Sequence, residues 1–428
     1  MIRIKDLFLS NERKRLFKNV LNLFFFQGTN YILPLVTIPY IVRIIGPEKF
    51  GILSFAQVLN QYFVIITDYG FNITGTQRIS QVQEDIKERA NVFSGILAVR
   101  ILLLILTFCM LIVIIFLFSS LQQNIRIYLA YFLMIPGSIL LSNWFFLGME
   151  KMHFLNYPNV ISKIGYTIFI FIFLKQENQY YLVAVFYGIF FVVGGMISFY
   201  LAFSHFKLKW SIPSAETIIF YFKDGWHIFI SNLSISLYRQ SNIFFLGLVA
   251  PKEIVGYYSA GEKIVKALQS VFTPVTQAFY PYVSRKTKSS PLSGIRSTKF
   301  LLKWMGGATT LIAIALIIFA KPLTLLFLGD KFTPSIAVLR ISSFVVSLGL
   351  LNYIIGIVFM TNFGLKKEFS KGVIITGIMN TIVCLSLSYL FQEIGTAVAF
   401  LFSEFFLMGL LIFYIYINRS KWSSDFAA

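Results

Sequence analysis

The chain has 428 residues, of which 57% are hydrophobic and only 13% charged, and it carries a formal charge of +19. Apolar runs on this scale exclude a soluble globular domain, and two cysteines, Cys109 and Cys384, both inside apolar runs, exclude a disulfide or metal-cluster framework. A soluble protein of this charge would point to nucleic acid, but here the charge collects in the gaps between apolar runs, so no nucleic-acid partner is called for.

Twelve of those runs reach the length needed to cross a bilayer, roughly 20 residues at 1.5 Å per residue. Hydrocarbon offers no water to stray backbone groups, so each run predicts a helix. Spans 1 to 6 are read at about 18–45, 51–73, 91–118, 126–149, 154–174 and 180–204, and spans 7 to 12 at about 219–249, 253–281, 300–327, 333–362, 370–391 and 394–418. Phe17 onward is too long for a signal peptide and lacks a small-residue cleavage site.

In chain order, span 1 carries Pro34 and Pro39 and ends near Arg43. Span 2 carries Gly51, Ser54, Gln57, Gln61 and Asp68, and span 3 carries Arg100. Span 4 is interrupted by Pro136-Gly137, and Lys163 stands midway along span 5. A polar stretch at 205–218 separates an N-terminal lobe, 1–204, from a C-terminal lobe, 219–428. Arg239 lies deep in span 7 with Asn232 and Ser236 on its face. Span 8 carries Gly256, Ser259, Glu262, Lys263, Lys266, Thr273 and Pro274, span 10 carries Arg340, and span 12 carries Glu404. The prolines predict kinks where a moving helix would bend. His153, His205 and His227 stand at span ends, where they predict interfacial packing.

Orientation follows from charge. Of the 37 Lys and Arg residues, 24 fall at the N-terminus, in the even-to-odd gaps or in the tail, six fall on the opposite side and seven inside spans. The positive-inside rule then predicts that both termini and the basic gaps are cytoplasmic.

Spans 2 and 8 repeat one pattern. Gly51, Ser54, Gln57, Gln61 and Asp68 each find a counterpart 205 positions later in Gly256, Ser259, Glu262, Lys266 and Thr273. Counted from the serines the polar positions fall at 0, 3, 7 and 14, which places them on one helical stripe. A polar stripe facing lipid would be costly, so both stripes predict interior faces, although small and polar residues also glue helices together. Each half holds an even number of spans, so a duplication would give parallel repeats. The predicted fold is an all-α polytopic membrane protein, with twelve helices in two pseudo-symmetric six-helix lobes around a central cationic cavity.

The seven intramembrane cations are Arg43, Arg100, Lys163, Arg239, Lys263, Lys266 and Arg340, against the intramembrane acids Asp68, Glu262 and Glu404. A charge at the bilayer centre costs about 2.5–3.5 kcal/mol on insertion scales, so an unpaired excess of cations predicts a pathway for an anionic substrate. Arg grips phosphate through a planar fork of donors. Arg43, Arg100, Arg239, Lys263, Lys266 and Arg340 are the candidate substrate contacts, and Asp68, Glu262 and Glu404 the candidate sites for a coupling proton or Na⁺. Simpler readings stand beside these: Arg43 snorkelling to an interface, Glu262 and Lys266 pairing along one helix, Asp68 capping a helix end. No phosphate-cradling glycine loop is present, so direct use of ATP is not expected, and no catalytic residue, metal or cofactor is called.

The run Tyr40-Ile41-Val42-Arg43-Ile44-Ile45-Gly46-Pro47-Glu48-Lys49-Phe50-Gly51, then Ser54-Phe55-Ala56, Asp68-Tyr69-Gly70 and Arg78, resembles the start of Wzx-type O-antigen flippases. These are polysaccharide transporters of the multidrug/oligosaccharidyl-lipid/polysaccharide exporter superfamily. Gly256-Tyr257-Tyr258-Ser259-Ala260 with Lys263, Tyr280-Pro281, Leu328-Gly329 with Phe332, and Leu339-Arg340 extend the resemblance over most of the chain. It implies alternating access and an undecaprenyl-diphosphate-linked sugar unit carried from the cytoplasmic to the periplasmic leaflet of a bacterial inner membrane. It further implies proton or Na⁺ coupling and, as partners, a polysaccharide polymerase and chain-length machinery. It sets Arg43 on the arginine of the first-loop motif. The chain departs from the pattern near Ser241-Asn242, where the family commonly has an acid, and this puts an ion-coupling role there in doubt. The competing readings are a multidrug or small-cation antiporter, which should line its cavity with acids and aromatics, and a membrane-embedded polysaccharide polymerase, which should incorporate labelled sugar. No non-cytoplasmic gap exceeds about ten residues, which leaves little room for the folded loop that such an enzyme usually needs.

Overall fold

The structure, a computed structural model, describes residues 11–419. Arg3, Lys5 and Lys421 lie outside the described residues, as do the side chains of Arg13, Lys14, Arg15, Lys18, Thr273 and Pro274. All regular structure among the described residues is helical. Seven helical segments are long and apolar enough to cross a membrane: Leu33–Gln81, Ile86–Leu117, Ile125–Gly148, Glu177–Phe206, Pro291–Phe327, Ser335–Met360 and Lys366–Ile417. The chain is a multi-pass membrane protein, and leucine, isoleucine and phenylalanine side chains stand exposed along Ile86–Leu117 where lipid would meet them.

The helices of the first stretch are α1 (Asn11–Asp68), α2 (Phe71–Gln81), α3 (Ile86–Leu117), α4 (Ser119–Gln122), α5 (Ile125–Phe132), α6 (Met134–Leu140), α7 (Asn143–Gly148), α8 (His153–Phe173), α9 (Tyr181–Phe206) and α10 (Ala215–Arg239). Those of the second are α11 (Ser241–Val249), α12 (Lys252–Val271), α13 (Thr273–Ser289), α14 (Pro291–Phe327), α15 (Ser335–Tyr353) and α16 (Lys366–Ile417). A π-helical turn, Ile354–Met360, continues α15.

Two of these elements are broken inside. Gly46 (φ 71°, ψ 176°) interrupts α1, a conformation that a residue without a Cβ adopts freely. Gln392 (φ 51°, ψ −129°) interrupts α16. There the chain folds back: Ser388 and Thr396 share a hydrogen bond at 2.7 Å, and Gly372 lies beside Leu407, Leu411 and Tyr414. A straight helix would hold residues eight apart at roughly 12 Å, so α16 is a hairpin. Span 4 is cut into α5, α6 and α7. Pro136 falls in the first turn of α6, where its missing N–H leaves nothing unsatisfied.

By packing the chain forms two compact units, Met1–Thr37 with Leu59–Leu233, and Ile38–Val58 with Ser234–Ala428. This differs from a division at 205–218. The irregular stretch between Phe206 and Ala215 belongs to the first unit, and the unit boundary falls inside α10.

The core of the first unit is aromatic. Phe93, Trp144, Phe145, Phe146 and Phe206 are buried, with ring centroids 5.1–5.9 Å apart for Phe93–Trp144, Phe93–Phe145, Phe145–Phe206 and Phe146–Phe206. Close approach of α2 to α7 requires small residues: a Cβ on Gly75 would meet the Trp144 ring, and one on Gly148 would meet Ile79. His153 and His205 both lie against Phe154 with tilted rings, their centroids 4.2 and 4.7 Å away.

In the second unit, the 38–58 part of α1 lies against α12. A Cβ on Gly51 would strike the Lys252 carbonyl oxygen, and one on Gly256 would strike the Pro47 carbonyl oxygen. Between these contacts the Ser259 hydroxyl donates to Ser54 Oγ at 3.0 Å. Behind α12 lies an apolar cluster of Val265, Leu316, Leu339, Val345, Val346 and Phe400.

Candidate functional site

Polar side chains of the second unit converge on a cavity of 610 Å³, within the range of roughly 300–1,000 Å³ typical of ligand sites. Part of its wall is built where helices lose regularity. The cut between α10 and α11 falls at Gln240 (φ −125°, ψ −8°), and both Arg239 and Gln240 line the cavity. The cut between α12 and α13 precedes Thr276, and the π-helical turn supplies Ile357; both residues line it as well. Irregular backbone at membrane depth is tolerated where it borders a cavity or is buried in protein, and π-helical turns recur at functional positions.

Arg239, Lys266 and Glu404, three of the candidates read from sequence, meet at this cavity with Gln269, Ser270, Asn352 and Tyr353. Glu404 is held in place: Asn352 Nδ2 donates to its Oε2 at 2.7 Å and to its backbone oxygen at 2.9 Å, leaving Asn352 Oδ1 without a partner. Gln269 Nε2 donates to the Val345 carbonyl at 2.8 Å. Gly349 makes room for this wall, since a Cβ there would press on the Gln269 amide and touch the Glu404 carboxylate.

A second polar layer stands behind the first. Lys266 Nζ lies 3.0 Å from Glu262 Oε1, and the two side chains are 38% and 2% exposed. Glu262, which does not line the cavity, also accepts from the Tyr258 hydroxyl at 3.4 Å. Asn380 donates to Asn242 Oδ1 at 3.1 Å, so the position near Ser241-Asn242, where an acid was expected, joins a neutral amide pair.

The remaining candidates lie elsewhere. Lys263 Nζ sits over the Phe50 ring, 4.6 Å from its centroid, and does not line the cavity. Arg340 is exposed and also outside the lining. Arg43 donates to the Leu325 and Leu326 carbonyl oxygens, which are among the last of α14 and have no partner within that helix. In the first unit, Arg100 is 3% exposed and lies 3.7 Å from Asp68. It also donates to Thr67 O (3.3 Å), Ser138 O (3.1 Å) and Ile139 O (3.5 Å), tying together the C-terminal ends of α1 and α6.

Sequence reading passed over Asn352 and Gln269, and it named Tyr258 only as part of a motif. Gln269 follows Glu262 by seven residues and Lys266 by three, on one helical face, and Asn352 is a lone amide in the apolar run Leu348–Ile357, so both signals were present. It also passed over Asp224, whose carboxylate takes a two-pronged grip from Arg78 at 2.9 and 2.8 Å.

Residues 16–287 match the family described as "Polysaccharide biosynthesis protein". The chain belongs to this family. A relative from Escherichia coli (strain K12), named "Putative O-antigen transporter", is 30% identical over 96% of this chain and 99% of its own length. Another of the same name, from Shigella dysenteriae, is 25% identical over 90% of this chain and 96% of its own. Among solved structures, an inward-facing multidrug-resistance transporter of the MATE family in the MOP superfamily superposes with a TM-score of 0.74. It is 16% identical and covers 94% of this chain and 96% of its own. The lipid II flippase MurJ, in an inward closed conformation, superposes at 0.73 with 14% identity, over 93% and 87%. These likenesses show a shared fold.

Proposed function

We propose that this family member flips undecaprenyl-diphosphate-linked O-antigen or related oligosaccharide units from the cytoplasmic to the periplasmic leaflet of a bacterial inner membrane. Twelve spans in two six-helix lobes would carry out alternating access, with both termini cytoplasmic, without chemistry on the substrate and coupled to a proton or Na⁺. The observation that carries this reading is the convergence of Arg239 and Lys266 on one cavity of 610 Å³. The names of the E. coli and Shigella relatives support the choice of substrate.

The chemistry fits. A diphosphate concentrates negative charge that Arg239 can grip with two parallel donors while Lys266 adds a point charge. Glu404, Gln269, Ser270 and Asn352 supply acceptors and donors of the kind that sugar hydroxyls need. The prenyl tail remains in lipid, where its burial costs nothing. The test is a chromosomal deletion. Cells lacking this protein should accumulate single lipid-linked repeat units on the cytoplasmic leaflet, and accumulation on the periplasmic leaflet would instead place the block after flipping.

A further inference from the structure

We propose that the exposed face of α14 formed by Arg296, Lys299, Phe300, Lys303 and Trp304 binds the phosphodiester headgroup of an anionic glycerophospholipid. None of the five lines the cavity, and the proposal does not depend on what the cavity carries.

The five residues fall at the spacing of one helical stripe and all are exposed, Phe300 at 57% and Trp304 at 65%. The opposite stripe, Gly294, Thr298 and Leu301, is buried, so the basic stripe faces away from the core of its unit. Farther along α14 the exposed stripe continues through Leu311, Ile314 and Ile318. With 37 residues α14 is about 55 Å long, against about 30 Å of hydrocarbon. Its apolar stretch at 307–327 suffices to cross, which sets 296–304 at headgroup depth. At that depth aromatic rings settle in the interface, and Lys and Arg reach phosphates along their alkyl stems. The preceding helix, α13, repeats the pattern: Tyr282, Arg285 and Lys286 are exposed, with Lys286 Nζ 5.8 Å from the Tyr282 ring centroid. A Cβ on Gly294 would press on Thr287, so the two helices meet closely at the turn.

Charge composition points the same way. Positions 285–303 carry the exposed cations Arg285, Lys286, Lys288, Arg296, Lys299 and Lys303, and no Asp or Glu occurs between Glu262 and Asp330. Among the described residues none of these cations forms an ion pair. The other basic segments are mixed: 78–89 includes Glu84, Asp85 and Glu88, and 366–371 includes Glu368. Lys and Arg set topology while acids count little, so orientation accounts for the cations but not for the exclusion of acids. A bound anionic headgroup accounts for both, because a carboxylate there would compete for the cations and repel the phosphate. Clusters of roughly four to eight such residues beside a membrane span suit anionic lipid.

Purified full-length protein in mixed micelles of a neutral detergent tests this, with tryptophan fluorescence as the readout. Two quenchers are compared, phosphatidylglycerol and phosphatidylcholine, each brominated near the headgroup end of an acyl chain. The share of the signal due to Trp304 is the difference between wild type and Trp304→Phe. Phosphatidylglycerol should quench that share at a concentration at least about fivefold lower, the factor that roughly one basic residue contributes near an anionic surface. Added salt should shrink the preference. Replacing Arg296, Lys299 and Lys303 together by Gln should bring the two lipids to near parity, while Arg285, Lys286 and Lys288 remain to hold the topology. Equal quenching by the two lipids in the wild type overturns the proposal, and that arm needs no charge variant. The same equality is what an acidic protein partner, the other occupant such a face could take, would give. A preference that survives in the triple variant also overturns the proposal, because the anionic lipid then sits elsewhere.

Discussion

Arg239 and Lys266 reach one volume from different helices, and this distinguishes them from cations that look alike in the sequence. Replacing Arg239 with Ala removes a charge-assisted partner of the diphosphate that contributes about 1.5–3 kcal/mol, so flux should fall roughly tenfold to a hundredfold at matched protein levels. Surface polysaccharide display would report the loss. Lys should restore it only in part because it lacks the planar fork. Arg340→Ala, outside the cavity lining, should cost less than Arg239→Ala, and Lys175→Ala, in an exposed turn, should be silent. Arg43 presents a different case: its guanidinium holds carbonyls at the end of α14, so Arg43→Ala should lower thermal stability by about 0.3–1 kcal/mol in detergent. Sequence reading gives each of these residues a position along its span but not the side of the helix from which it projects. Depth comes from position along a span, whereas azimuth depends on partners far away in the chain. Lys263 and Lys266 are three apart, yet one covers Phe50 and the other lines the cavity.

At the scale of elements, the 205-residue spacing reappears as contact. Pro47 meets Gly256 and Lys252 meets Gly51, which is reciprocal, because Lys252 and Gly256 each follow Pro47 and Gly51 by that spacing. Ser54 and Ser259, the next equivalent pair, touch each other. The contact between these two segments is thus reciprocal: i meets j′ and j meets i′. Cysteines at Ser54 and Ser259 should therefore form a disulfide on mild oxidation, whereas cysteines at Ser54 and Lys263 should not. Gly256→Leu should lower stability by about 1–3 kcal/mol, since nothing there can yield except backbone. In the first unit, a double-mutant cycle on Arg78 and Asp224 should give a coupling near 1 kcal/mol, as both side chains are partly exposed, at 31% and 25%. The 205-residue spacing was legible because it needs only counting along the chain. The breaks at Gln240 and Phe272 and the π-helical turn were less so. Pro274 marked one of them, but the others border a cavity that hydropathy does not register.

For the whole molecule, the expected topology can be checked directly. Cysteines introduced in the basic segments 205–218 and 284–299 should resist labelling from the periplasm, and those replacing Lys252 or placed between Lys321 and Lys331 should react. The all-helical membrane fold was legible because twenty-residue apolar runs leave the backbone no other choice. α8, α10 and α12 fall outside the seven segments that are long and apolar enough to cross a membrane, and they carry Lys163, Arg239, Lys263 and Lys266. The measurement that bears most directly on the central claim is transport itself. Proteoliposomes holding the purified protein and a fluorescent undecaprenyl-diphosphate oligosaccharide should move the label from one leaflet to the other, read by loss of protection from an added quencher. Wild type should translocate the label, and Arg239→Ala should slow it at least tenfold. Equal rates in wild type, Arg239→Ala and protein-free liposomes would contradict the account.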